Sequence, residues 1–120
     1  MIVADGHGPS GEMVSQYIVN YLPKVMWDEI DDVLDDFDIV PNNNETYKLA
    51  FLDKKYHIQI KNGICIAFRK INAMLKHQSF DSLMSGSTLT ATLIIGDFIY
   101  CGNVGDSRAI LLKQKKSKLN

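Results

Sequence analysis

The apolar residues of this 120-residue chain change their spacing once, near residue 80. From Glu12 to Leu75 they recur mostly at every third or fourth position, which is typical of amphipathic helices. From Ser85 onwards, short runs of β-branched and aromatic residues are separated by Gly-Asp pairs, which is typical of antiparallel strands joined by turns. A helical part followed by a β part predicts an α+β fold.

The helical part divides into two long helices. The first is predicted to begin at Glu12 and to continue through the acidic stretch 27–38, with Pro23 marking a kink or a fresh start. The Asn-rich segment 41–46 is a turn cluster, and a second long helix follows it and ends near Leu75. The acidic stretch keeps the helical spacing of its apolar residues, so it predicts a solvated helix face or, alternatively, a docking or metal-attracting surface.

Strands are predicted both before and after the helices along the sequence. Residues 1–4 predict the end of a short buried strand, and residues 5–11 predict a loop. Gly96-Asp97 has the chemistry of a tight hairpin turn. The strands after the helices form a predicted three-stranded antiparallel meander, at 85–95, 98–104 and 107–112.

Charge and composition narrow the class of protein. The formal net charge is −1, with seven acids in 27–38 and four lysines in 113–120. Proteins that bind nucleic acid normally present a strongly basic surface, so nucleic acid is not an expected partner. No run approaches the ~20 apolar residues of a membrane span, so no membrane partner is expected. Cys65 and Cys101 are expected to be buried reduced thiols, and the absence of a signal pattern predicts an intracellular, cytoplasmic location, with the nucleus as an alternative.

The stretch Asp5-Gly6-His7-Gly8 follows the first predicted strand and carries the residue types of a catalytic site. A carboxylate at the end of a strand is held rigidly, and its oxygens, with a backbone carbonyl, are what Mg²⁺ or Mn²⁺ prefers. His7 adds a side chain that can donate or accept a proton near neutral pH. The alternative is a glycine-rich turn in which Asp5 only accepts hydrogen bonds from the backbone.

A second stretch, Asn103-Val104-Gly105-Asp106-Ser107-Arg108, again places an aspartate after a glycine at the end of a predicted strand. By itself it favours an ordinary hairpin turn, because Gly-Asp is common turn chemistry. Whether it carries function depends on what lies beside it.

Taken in order, DGHGPSG, SGST and NVGDSRAIL resemble the protein phosphatase 2C family of metal-dependent serine/threonine phosphatases. The resemblance implies a sandwich of two antiparallel sheets with paired helices outside, of which this chain would form an incomplete α-β-β-α portion with its two helices on one sheet. It also implies a binuclear Mg²⁺ or Mn²⁺ centre, with a possible third ion, whose bound hydroxide hydrolyses phosphoserine or phosphothreonine in proteins.

The resemblance assigns roles to four residues of this chain. Asp5 would bridge two metal ions, and the Gly6 carbonyl would bind one of them. His7 would protonate the departing seryl or threonyl oxygen, and Asp106 would help to hold the third ion. Ser85-Gly86-Ser87-Thr88 would be structural and would let its strand approach the site.

Parts of the family's pattern have no counterpart in residues 1–120. The family also uses an acid and an arginine from a strand upstream of DGHG, and further aspartates from downstream Asp-Gly and Asp-Asn motifs. Residues 1–4 carry no charged side chain, and the sequence holds no second Asp-Gly and no Asp-Asn. We therefore expect residues 1–120 to be the N-terminal portion of a catalytic domain, inactive by itself and prone to self-association through exposed sheet edges. The alternative is a pseudophosphatase or regulatory binding module that keeps the fold without catalysis.

Overall fold

The computed structural model of the protein describes residues 1–36 and 54–113. The predicted turn cluster at 41–46 lies outside these residues. Within them, short strands precede two long helices, and a β part follows. In chain order the elements are β1 (Ile2–Val3), β2 (Gly6–His7), α1 (Gly11–Asp36), α2 (Lys54–Leu75), β3 (Gly86–Ser87), β4 (Leu89–Ile95) and β5 (Phe98–Val104).

The two helices pack along each other through the apolar faces that the spacing predicts. Leu22 of α1 and Tyr56 and Ile60 of α2 are completely buried. The acidic side of α1 faces solvent, where Asp28, Asp32 and Asp35 are exposed. One core joins the helices to the sheet, and its buried members are Val14, Ile18, Leu22, Met26, Ile30, Tyr56, Ile60, Ile64, Ala67, Ile71, Leu75, Leu89, Ala91 and Tyr100.

Pro23 does not start a new helix, because α1 runs through it from Gly11 to Asp36. A proline inside a helix removes one backbone hydrogen bond and costs about 3 kcal/mol. Leu22 and Met26, on either side of it, are buried in the core. Each buried side chain of this size contributes about 1.5–3 kcal/mol, so packing outweighs the local penalty.

The principal sheet has the strand order β1-β4-β5, with every pair antiparallel. The predicted hairpin is confirmed, since Ile95 pairs with Phe98 across the two-residue turn Gly96-Asp97. Gly102 of β5 lies against Ile64 and Phe68 of α2, so the helices cover this face of the sheet. The predicted α+β class, with two long helices on one side of antiparallel strands, is confirmed.

The third strand of the predicted meander does not form. Residues 107–113 have no strand assignment, and Ile110, Leu111 and Leu112 are all exposed. Their β-branched and aliphatic composition favours a strand, but a strand also needs a partner edge and a surface on which to bury its apolar side. β5 is an edge strand of the principal sheet, but residues 107–113 do not pair with its outer edge, and their apolar side chains are not buried against the described residues.

The expectation of buried cysteines is also wrong, because Cys65 and Cys101 are both exposed free thiols. Successive side chains of a strand point to opposite faces of the sheet. Tyr100 and Gly102, the neighbours of Cys101 in β5, face the helices. Cys101 therefore points to the opposite face of the sheet, which no described helix covers. Among the described helices, none is both long and apolar enough to span a membrane.

Candidate functional site

The first motif lies where two paired chain segments pass from the three-stranded sheet into the two-stranded sheet. β1 pairs with β4 through Val3 and Thr90, and β2 pairs with β3 through Gly6 and Ser87, in one continuous antiparallel register. That register places Asp5 opposite Thr88, at the break between the two short ladders. The predicted single strand at 85–95 is thus interrupted at Thr88, and part of the predicted loop 5–11 is the short strand β2.

Thr88 holds the main chain of Asp5 from both sides. The Thr88 N–H donates to the Asp5 carbonyl at 2.9 Å, as in an ordinary ladder. The Asp5 N–H, however, donates to the Thr88 hydroxyl at 3.1 Å, while the Thr88 carbonyl accepts from the Ser87 hydroxyl at 2.8 Å. With its backbone fixed in this way, Asp5 is exposed to solvent, and its carboxylate is accessible to a ligand.

His7 projects beside the start of the SGST segment. It pairs with Gly86 across β2 and β3, and a Cβ at position 86 would lie 3.2 Å from the His7 Nε2 atom. Any side chain at position 86 would therefore crowd the imidazole. His7 is exposed, so its ring is accessible to a substrate as well as being packed over Gly86.

The second motif is held next to the first by the same threonine. The Thr88 and Ser107 hydroxyl oxygens lie 2.7 Å apart within hydrogen-bond distance. Because the Thr88 hydroxyl already accepts from Asp5, its own proton is free to be donated to Ser107. Ser107 follows Asp106 directly, so this contact joins the Asp106 turn to the Asp5 loop.

The Asp106 turn is also fixed from the side of the sheet. The Asn103 amide donates to the Gly105 carbonyl at 3.1 Å, and the Asn103 side-chain oxygen accepts from the Thr90 hydroxyl at 2.5 Å. Asp106 itself is exposed. The structure therefore joins the loop that carries Asp5 and His7 to the turn that carries Asp106 through the Thr88–Ser107 contact.

The donor atoms fit a divalent cation in kind but not in number. Exposed carboxylates and backbone carbonyls are the oxygen donors that Mg²⁺ and Mn²⁺ prefer. Among the described residues, however, no group of three or more His, Cys, Asp or Glu side chains could hold a metal ion. By themselves the described residues do not make a complete coordination shell.

The sequence did not predict that Thr88 and Ser107 connect the two loops. The SGST segment is expected to be structural. Its sequence does not reveal that the Thr88 hydroxyl, rather than the Thr88 carbonyl, accepts the hydrogen bond from the Asp5 N–H. The role of the Ser107 hydroxyl cannot be predicted from its local sequence, because it depends on a contact with Thr88, nineteen positions away.

Comparison with known proteins shows which sequences this chain is similar to. The chain is 28% identical over 117 residues to Probable protein phosphatase 2C 35 of Arabidopsis thaliana, covering 98% of this chain and 27% of that protein. It is 31% identical to Probable protein phosphatase 2C 72 of Arabidopsis thaliana and 32% identical to Probable protein phosphatase 2C 75 of Oryza sativa subsp. japonica, each match covering 91% of this chain and 29% of the relative.

The chain thus spans less than a third of the length of these relatives. No solved structure gives a significant match. The sequence profile of the family described as Protein phosphatase 2C matches residues 3–120, which include every residue of the two motifs. The chain therefore belongs to the protein phosphatase 2C family.

Proposed function

We propose that the complete protein containing this chain is a metal-dependent phosphatase that hydrolyses phosphoserine and phosphothreonine in proteins. The observation that carries the proposal is the position of the exposed Asp5. Thr88 fixes the backbone of Asp5 by two hydrogen bonds and, through Ser107, connects the Asp5 loop to the Asp106 turn. Two accessible acids held on adjoining rigid loops suit the recognition of cations and of the phosphate that those cations bind.

The residues proposed to hold the cations are Asp5, the Gly6 carbonyl and Asp106. Mg²⁺ and Mn²⁺ are the proposed ions, because all three donors are oxygens. The proposal takes two of these ions at Asp5 and a third at Asp106. When bound, such ions polarise a water molecule for attack on phosphorus and neutralise the phosphoryl oxygens. The part of this chain in that chemistry is to orient Asp5 through the two hydrogen bonds with Thr88.

His7 is the proposed proton donor to the departing seryl or threonyl oxygen. It is exposed, lies two residues from Asp5, and is fixed in position by the pairing of β2 with β3. General acid catalysis of this kind is typically worth 10²–10⁴-fold. Neither cysteine is needed as a nucleophile in this proposal.

Residues 1–120 by themselves are proposed to be inactive. A hard divalent cation takes about six oxygen ligands, several of them from the protein in a tight site. The described residues contribute fewer than this, so the remaining ligands must come from elsewhere in the complete protein.

The test compares hydrolysis of p-nitrophenyl phosphate with Mn²⁺ by the complete protein, its Asp5→Ala variant and residues 1–120. We expect Asp5→Ala to lower kcat/KM by at least about 10²–10³-fold, the loss seen when one key electrostatic group is removed. Residues 1–120 should show only the background rate. Asp35→Ala, at an exposed acid on α1 away from both motifs, is the matched control and should keep the wild-type rate. An Asp5→Ala variant as active as wild type would refute the role of Asp5.

The second candidate function is a regulatory binding module that keeps the fold without catalysis. The described residues make only part of a metal-binding shell, so the two functions differ in whether the complete protein adds the remaining ligands. The same assay decides, since a binding module would give no Mn²⁺-dependent hydrolysis even as the complete protein.

A further inference from the structure

Two large apolar side chains are displayed on a turn directly beside the proposed catalytic loop. Leu83 is 94% exposed and Met84 is 76% exposed. Neither belongs to the core or to the partly buried residues packed against it. We call these two residues the Leu83–Met84 tip.

The tip is held rigidly although its side chains are free. One carboxylate oxygen of Asp81 accepts from the backbone N–H groups of Leu83 and Met84, at 2.9 and 3.2 Å. The next residue, Ser85, accepts at its hydroxyl from the Ser10 N–H at 2.8 Å. A turn anchored on both sides loses little conformational entropy when a ligand binds to it.

The tip also touches the loop that carries His7. Gly8 packs so closely on the tip that a Cβ there would lie 2.4 Å from the Met84 carbonyl oxygen. Two residues further along, Gly86 underlies the imidazole of His7. A phosphorylated side chain that reaches His7 would therefore bring its neighbouring residues over the Leu83–Met84 tip.

We propose that the Leu83–Met84 tip is a specificity determinant that contacts apolar residues flanking the phosphorylated residue of the substrate. This inference rests on the proposed function, because it assigns substrate preference to the same site. The apolar tip would gain binding energy by covering an apolar neighbour, while the Asp81 carboxylate at its base disfavours acidic neighbours.

The test uses the complete protein with Mn²⁺ and two phosphothreonine peptides, one with leucine on both sides of the phosphothreonine and one with serine there. The readout is the ratio of kcat/KM for the leucine peptide to that for the serine peptide. We expect a ratio of about ten for the wild type, equivalent to partial burial of one large side chain. Leu83→Ser combined with Met84→Ser should bring the ratio close to one, mainly through KM of the leucine peptide.

Two control variants separate specificity from folding. Leu83→Met combined with Met84→Leu keeps the apolar surface and should keep the wild-type ratio. Ile58→Ser, at an exposed apolar residue on α2, should also leave the ratio unchanged. A general loss of stability would lower both peptide rates together and would not change their ratio.

The outcomes distinguish the two claims. A wild type that is inactive on both peptides and on p-nitrophenyl phosphate refutes the proposed function and this inference with it. A wild type that hydrolyses both peptides with a ratio near one refutes the inference alone. So does a double serine variant that keeps the wild-type ratio.

Discussion

Thr88 is the residue on which the geometry of the candidate site depends most directly. Its hydroxyl accepts from the Asp5 N–H at 3.1 Å and lies 2.7 Å from the Ser107 hydroxyl oxygen. In Thr88→Val the side chain keeps its shape but can make neither contact. Leaving a partly buried N–H without an acceptor costs about 1–3 kcal/mol. We expect a lower free energy of unfolding and, because Asp5 loses its alignment, a fall in phosphatase activity of about tenfold or more.

The Mn²⁺ concentration needed for half-maximal activity checks whether this effect is one of position. It should rise in Thr88→Val and remain near the wild-type value in Thr88→Ser, which retains the hydroxyl. If Thr88→Val is less stable but responds to Mn²⁺ as the wild type does, Thr88 has only a structural role.

At the scale of elements, a hydrogen bond between side chains of α2 and β5 connects the helix to the sheet at the border of the core. His57 Nδ1 lies 2.7 Å from the Tyr100 hydroxyl, and the Phe98 ring lies tilted against the imidazole with the two ring centroids 4.6 Å apart. Tyr100 is only 5% exposed, and burial raises the pKa of its phenol above the usual 10.0. Burial disfavours the charged phenolate, so the folded protein holds this proton more tightly than the unfolded chain.

The raised pKa of Tyr100 predicts a loss of stability at alkaline pH. Below about pH 10 the phenol is protonated in both states, and its contribution to stability is fully present. Above about pH 10 the unfolded chain releases the proton first, so the free energy of unfolding falls as pH rises through the folded pKa. Urea unfolding of the complete protein at a series of alkaline pH values should show this fall, and Tyr100→Phe should make it shallower.

Tyr21→Phe is the control for this experiment, because Tyr21 is half exposed on α1. Its pH profile should follow that of the wild type. Equal alkaline losses in wild type and Tyr100→Phe would show that Tyr100 does not titrate in the way its burial requires.

The elements that could be predicted from sequence are those whose local pattern and tertiary packing agree. The spacing of Val14, Ile18, Leu22 and Met26 predicts the buried face of α1. Gly96-Asp97 predicts the hairpin because turn chemistry and strand pairing coincide there. The segment 107–112 shows the opposite case, since its composition favours a strand but it does not pair with the outer edge of β5.

At the scale of the whole molecule, the sequence indicates candidate site residues but not how their loops are arranged. The motifs single out Asp5, His7 and Asp106 as candidates, because glycines and an acid at the end of a strand leave a local signature. The joining of their loops depends on Thr88 and Ser107, whose hydroxyl groups meet only after the sheet has formed. Contacts between distant segments leave no periodic pattern in a single sequence.

The whole molecule also has one sheet face that the described helices leave open. Ile94 is 68% exposed and pairs with Ile99, which is 52% exposed, while Val3 and Cys101 are exposed on the same face. Apolar side chains grouped on an open sheet face favour association with another apolar surface. We therefore expect residues 1–120, as an isolated chain, to self-associate through this face.

Sedimentation velocity at increasing protein concentration measures this association directly. The wild-type chain should shift towards larger species as its concentration rises. Ile94→Lys combined with Ile99→Lys should weaken the association on the order of a hundredfold, because two apolar side chains are replaced by charges that resist burial. Ile58→Lys, at a residue 57% exposed on α2, adds one of these charges away from the sheet and should associate as the wild type does. If the wild-type chain remains monomeric throughout, or if Ile58→Lys disrupts association as strongly as the double variant, the open sheet face is not the contact surface.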